Sequence, residues 1–271
     1  MELAEARAGT AKDDRSGSAL LSVENVSIRF GGVTALDDVT FMVAPGAICG
    51  LIGPNGAGKT TLFNCVSRLY DPHAGSIRFD GRPLSGAPRY AIAALGIART
   101  FQNLALFATM TTRDNVRVGA HALARGGFLA NALALPLAGR EERRLAERAE
   151  ALIEEFGLER VADRPVAELP FAVRKRVELA RALAVSPKLL LLDEPAAGLN
   201  HEEVDALSEE IRAIRDRRGV AVLLVEHHMN LVMRVSDQVV ALDFGRVIAD
   251  GRPEEVRANP DVVRAYLGTA A

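Results

Sequence analysis

The sequence predicts an α/β fold whose sheet is covered on both faces, with a block of helices inserted between its strands. Three observations predict it. Short, uniformly apolar runs at 47–52, 189–192 and 220–225 have the length and composition of buried strands. The first of them leads straight into a glycine-rich loop and a helical pattern. From about Thr112 to Ser186 the apolar spacing is mainly helical, so the β/α alternation is interrupted and then resumes.

Taken in order, LSVENVSIRF at Leu21–Phe30 alternates apolar and polar residues as a half-buried strand does. A short second strand is expected at 39–43, before the Pro45-Gly46 turn. The buried strand 47–52, the glycine loop and a helix over 60–67 follow. After DPHAG come a strand at 76–79 and a turn at Asp80-Gly81. AGREERRLAERAEALIEEFGL carries apolar residues at helical spacing and stops at Gly157. An Ala/Leu-rich segment, 128–138, breaks into this helical stretch. Beyond Pro187 a strand at 189–192, a helix at 202–217, a strand at 220–225 and a helix at 230–235 alternate. Strands at 238–242 and 246–249 flank a hairpin turn at Phe244-Gly245, and short helices close the chain. Residues 1–18 mix acidic residues with Ala, Gly and Ser, lack the apolar stretch of a signal peptide, and read as a disordered tail.

Composition excludes several classes. Hydrophobic residues at 49% and charged residues at 25% are the balance of an ordinary globular domain. A formal net charge of −2 supplies no basic field, so no nucleic acid partner is expected. Cys49 and Cys65 lie in apolar patterns and read as buried thiols; a metal site needs more ligands at tighter spacing. No stretch reaches the ~18 apolar residues that span a bilayer, so attachment to a membrane would be through partners.

Two motifs carry chemistry. GPNGAGKT and the threonine after it comprise Gly53, Pro54, Asn55, Gly56, Ala57, Gly58, Lys59, Thr60 and Thr61. Glycines let backbone N–H groups wrap phosphate oxygens, Lys59 adds a point charge for the β and γ phosphates, and Thr60 offers a hydroxyl to Mg2+. Downstream, the apolar run LLLLDEP ends in Asp193 and Glu194, carboxylates delivered to the carboxyl edge of a sheet. Asp193 suits Mg2+ and Glu194 suits polarisation of an attacking water. Together the motifs define a P-loop nucleoside triphosphatase that binds ATP with Mg2+, without saying of which kind.

Gln102 in RTFQN and His227 after the strand at 220–225 narrow it. Their order and strand-end placement resemble the nucleotide-binding subunits of ABC transporters, over residues 19–271. The resemblance implies an ABC ATPase domain with an antiparallel β subdomain and a helical subdomain, roughly 103–186, inserted in the α/β core. It implies that Phe30 stacks on adenine, that Gln102 touches Mg2+ and the water, and that His227 binds the γ phosphate. It places Ala197, Gly198, Leu199 and Asn200 in a loop that crosses to a partner ATPase. It also makes Leu169, Pro170, Phe171, Ala172 and Val173 the signature segment that faces the partner's ATP. This segment departs from the family's LSGGQ: Pro170 stands for serine, Ala172 for glycine and Val173 for glutamine, with the helical half fitting from Arg174 onward. Loss of a hydroxyl and an N–H at Pro170 is expected to weaken that face.

RFGGVTAL, RTFQN, DEPAAGLN, EHHMNLVMRVSDQVVALDFGRVIADG and NPDVVRAYLG are similar to the ATP-binding subunits of branched-chain amino acid importers. The GLN loop and the AYLG ending also occur in relatives that serve urea importers. The 128–138 segment fits the larger of the two ATPase subunits of such importers. The resemblance therefore implies two membrane-spanning permease subunits, a second ATP-binding subunit in a heterodimer, and, indirectly, an extracytoplasmic solute-binding protein. It implies a location at the cytoplasmic face of the cell membrane. A soluble ABC-type ATPase on ribosomes or DNA and a stand-alone P-loop kinase fit less well. The first usually carries two ATPase halves or a long coiled coil, and the second lacks the Gln102 and His227 order.

Overall fold

The computed structural model describes residues 19–100, 104–121 and 136–267. The tail 1–18, Gln102, most of the 128–138 segment and Gly268 lie outside the described residues. Two sheets organise the rest. A four-stranded antiparallel sheet has the order β2-β1-β4-β5, from Leu21–Phe30 (β1), Val33–Val43 (β2), Ala74–Phe79 (β4) and Arg82–Pro83 (β5). A six-stranded sheet has the order β10-β9-β3-β8-β7-β6. Its strands are Ile48–Ile52 (β3), Ile97–Arg99 (β6), Leu189–Asp193 (β7), Ala221–Val225 (β8), Gln238–Asp243 (β9) and Arg246–Gly251 (β10). Five of these run parallel; β10 returns antiparallel beside β9.

The apolar strands are buried on both sides, as their composition requires. Every residue of β3, β7 and β8 is buried. Alternate residues feed two separate cores: Ile48, Ile52, Leu190 and Leu192 face one, Cys49, Leu51, Leu189 and Leu191 the other. The second core also holds Leu62, Phe63, Cys65 and Val66 of α1 (Lys59–Val66) and the inner face of the antiparallel sheet. Both thiols are buried, and burial raises the Cys65 thiol to about 11 and the Cys49 thiol further still. Neither is a reactive thiolate at neutral pH.

The first core is covered by the helices. They include α3 (Thr112–Ala120), α4 (Pro136–Glu155) and α5 (Phe171–Leu183), then α6 (His201–Arg218) and α7 (Met229–Val235). A short α2 (Ile92–Leu95) precedes β6, and α8 (Pro253–Ala258) and α9 (Pro260–Leu267) close the described chain. Thr111 caps α3 by accepting the Asp114 N–H, and Asn200 caps α6 in a reciprocal box with Glu203. Gly219, with φ of +63°, ends α6 in the left-handed conformation that glycine adopts without strain. Among the described residues no helix is long and apolar enough to cross a membrane.

Several boundaries differ from expectation by a few residues, and two of them have a visible cause. Strand β2 begins at Val33, six residues before the expected 39. Register shifts between β1 and β2 break the alternation, and Asp38 sits at φ +57°, so its period-two pattern is lost in the sequence. Helix α5 begins at Phe171 rather than near Arg174, because Pro170 has the fixed φ, here −55°, that suits the position before a helix.

Candidate active site

The phosphate-type loop joins β3 to α1 and is fixed by its glycines. Gly53, Gly56 and Gly58 have φ of +150°, +83° and +103°. A Cβ on Gly53 would lie 2.2 Å from the Leu242 carbonyl oxygen, and one on Gly58 2.6 Å from that of Ala35. Both therefore exclude side chains by contact as well as by conformation. Ala57 is buried, and its carbonyl accepts the Gly245 N–H at 3.0 Å. Pro54 turns the loop by accepting the Ala57 N–H at 3.2 Å, while Asn55 and Gly56 are exposed. The Gly53 N–H donates to the Tyr266 hydroxyl of α9 at 2.8 Å, so the chain's last described helix pins the loop's first residue.

Lys59 opens α1 and is buried. Its Nζ donates to the carbonyls of Gly53 at 2.7 Å and Pro54 at 2.9 Å, folding the ammonium back over the loop. Burial pulls its pKa below the ordinary lysine value, and the Glu194 carboxylate opposes that shift. Thr60 is exposed and Thr61 half-buried in the same first turn.

Strands β7 and β8 are neighbours with Asp193 opposite Val225, so the residues that follow each strand meet. Glu194 stands at φ +47°, an uncommon conformation for a glutamate, held by its N–H donating to the Val225 carbonyl at 2.9 Å. Its Oε1 lies 2.9 Å from Nε2 of His227, which donates in the tautomer protonated there. The structure thus brings Glu194 and His227 into direct contact.

Asp193 is buried and accepts from the Arg99 guanidinium at 2.8 Å. Arg99 also donates to Asn64 Oδ1 of α1 at 2.8 Å and to Oγ of Ser67, which caps the end of that helix, at 3.0 Å, and lies over the Phe63 ring at 5.6 Å. One arginine therefore ties Asp193 to the helix that begins at Lys59. Glu226, 1% exposed, reaches under the pair at Glu194 and His227: it accepts backbone N–H groups from Ala196, His227 and His228. Residue types and spacing alone assign no role to Arg99, Glu226 or Tyr266, although all three stand in segments quoted above.

The remaining expected residues lie elsewhere. Phe30 ends β1, is 44% exposed, and meets Tyr70 edge-on with ring centroids 5.1 Å apart. Gly198, Leu199 and Asn200 lead into α6, with Gly198 at φ +82°. In the signature segment Leu169 is buried, Pro170 and Phe171 are exposed, and Ala172 and Val173 are half-buried. The Phe171 ring packs on Gly198, where an added Cβ would come within 3.1 Å of it. Arg174 and Lys175 lie 5.7 Å and 5.6 Å from that ring's centroid.

A family model described as "ABC transporter" matches residues 36–197, and one described as "Branched-chain amino acid ATP-binding cassette transporter" matches residues 246–271. The chain is 44% identical over 251 residues to the high-affinity branched-chain amino acid transport ATP-binding protein BraF of Pseudomonas aeruginosa, covering 93% of this chain and 98% of BraF. It is 42% identical over 251 residues to the corresponding LivG of Escherichia coli K12, again covering 93% and 98%. Its fold is similar to the ADP conformation of MJ1267, an ATP-binding cassette of an ABC transporter. There the TM-score is 0.80 at 29% identity, over 92% of this chain and 99% of that one. This chain belongs to the ATP-binding proteins of ABC transporters, in their branched-chain amino acid type, and is an ATPase.

Proposed function

We propose that this chain is the motor subunit of an importer for branched-chain or other hydrophobic amino acids, driven by hydrolysis of ATP at the β3–α1 loop. The observation that carries the chemistry is the contact of Glu194 with His227 at 2.9 Å, just past the ends of the adjoining strands β7 and β8, the second of which lies beside the strand leading into the loop. Near full-length similarity to BraF and LivG supports the solute class.

In this reading Gly53 to Thr61 wrap the phosphates with backbone N–H groups, and Lys59 turns from its loop carbonyls to the β and γ phosphates. Phe30 stacks on adenine. Glu194 polarises a water whose oxygen bonds to the γ phosphorus as the bridge to the β phosphate breaks, leaving ADP and inorganic phosphate. His227 holds the γ phosphate and, through its contact with Glu194, the carboxylate's orientation. Buried Asp193 and the exposed Thr60 hydroxyl are hard oxygen donors of the kind Mg2+ prefers, so these residues fit that ion, with Gln102 as a third candidate. Bound there, Mg2+ would neutralise phosphate charge.

The same reading takes residues 19–271 as one ATPase domain with a helical subdomain near 103–186. It pairs the chain with a second ATP-binding subunit through Leu169 to Val173 and Gly198 to Asn200. It seats the pair on two permease subunits at the cytoplasmic face of the membrane, fed by an extracytoplasmic binding protein. Pro170, Ala172 and Val173 make the signature face the weaker partner in hydrolysis.

Purification from detergent-solubilised membranes followed by reconstitution into vesicles tests the proposal. Co-purifying permease subunits and ATP-dependent uptake of leucine, isoleucine or valine are expected. Uptake of urea instead, or recovery without membrane subunits, would overturn it.

A further inference from the structure

Glu226 is a carboxylate taken out of water, at 1% exposure, immediately after β8. A buried charge of this kind needs strong hydrogen bonds, and three backbone donors supply them. Oε1 accepts the Ala196 N–H at 2.6 Å, while Oε2 accepts those of His227 at 3.0 Å and His228 at 3.2 Å. The two oxygens therefore serve two different loops. Ala196 lies two residues past Glu194, on the way to Gly198 and Asn200. His227 is itself one of the anchored residues.

The geometry points to Glu226 as a positioning residue for hydrolysis. Its carboxylate sets the register of the two loops so that Glu194 and His227 meet at 2.9 Å, and it joins both to the segment leading into α6. The inference rests on the reading that Glu194 and His227 act on the γ phosphate. It assigns Glu226 no contact with nucleotide.

A carboxylate offers acceptors on both oxygens, whereas a glutamine offers one acceptor oxygen and one NH2 group that only donates. Glu226→Gln therefore turns a donor toward either Ala196 or the two histidine N–H groups. In the full chain purified with its membrane subunits, the variant should lower kcat for ATP hydrolysis about tenfold or more, with KM for ATP within about twofold of the parent. Combined with His227→Ala, it should lower kcat no further than the more damaging single change, because both act through one pair.

Parental kcat in Glu226→Gln would overturn the inference. So would multiplying effects in the double variant, or a loss carried by KM. Glu226→Asp keeps the charge but is one methylene too short to span both loops, so it too should lower kcat at unchanged KM. If neither variant folds, Glu226 is a determinant of the fold and the positioning role is wrong. Glu194→Gln in the same assay separates the two levels of inference. Loss of hydrolysis there beside parental Glu226→Gln defeats only the positioning role, and parental hydrolysis there defeats the underlying reading as well.

Discussion

Helices α1 and α5 both begin at a segment that the proposed function aims at a phosphate, and the two beginnings are built on opposite plans. The start of α1 is shaped by backbone. Gly53, Gly56 and Gly58 take positive φ, two of them pressed against carbonyls, and Lys59 lies buried across the loop with its ammonium on Gly53 and Pro54. The start of α5 is shaped by side chains. Pro170 brings no N–H and no capping side chain, and Phe171 lies on Gly198 with Arg174 and Lys175 near its face. Both helix ends carry the favourable dipole. The difference lies in whether N–H donors are preorganised around one point, as at α1, or replaced by an aromatic surface with two diffuse charges.

Removing the strongest element of the first plan should have the largest effect. Lys59→Ala should weaken ATP binding by about tenfold to a hundredfold, the loss of one charged hydrogen-bonding group, read by titration with a fluorescent ATP analogue. Gly58→Ala tests the backbone itself. With φ of +103° and a Cβ placed 2.6 Å from the Ala35 carbonyl, it should cost about 1–3 kcal/mol of stability, read by urea denaturation. Parental stability would show that the loop does not depend on that conformation.

Bringing the second plan closer to the first is the sharper comparison. Pro170→Ser with Ala172→Gly restores a hydroxyl and an N–H at the start of α5. It should raise ATP hydrolysis of the assembled complex about tenfold, one charged hydrogen bond's worth. Unchanged hydrolysis would mean that the Phe171 surface already serves the role.

The smallest effect is expected away from both helix starts. Burial raises the Glu210 carboxyl from its ordinary 4.5 to about 7, with Arg176 opposing the shift and Glu155 adding to it. The folded chain then holds this proton more tightly than the unfolded chain. The corresponding stability is fully present below about pH 4.5 and is lost as the pH rises through about 7. Glu210→Gln should raise stability above that pH by on the order of 1 kcal/mol and leave it unchanged near pH 4. Nucleotide affinity and hydrolysis should stay as in the parent.

How much of this was legible in the sequence depended on whether the information is local. The loop from Gly53 to Thr61 and the strand ending in Asp193 and Glu194 are contiguous, so composition and spacing reveal them. Their chemistry is written in residue types that few other settings require. Arg99, Glu226 and Tyr266 were not legible, because each acts across the sheet. Arg99 reaches Asp193, 94 positions away, only through the parallel pairing of β6 with β7. Tyr266 meets Gly53 across 213 positions. Glu226, beside two histidines, resembles a solvated acid until the β7–β8 register brings Ala196 over it. The early start of β2 was hidden for a different reason: register shifts erased the alternation that marks a strand.

Hydrolysis at the β3–α1 loop depends, in the proposed function, on the contact between Glu194 and His227. Single-turnover hydrolysis of ATP by the assembled complex should be compared for the parent and Glu194→Gln, with bound nucleotide identified at each time. The variant should retain ATP while hydrolysis slows by about a hundredfold or more. Hydrolysis at the parental rate would contradict that dependence.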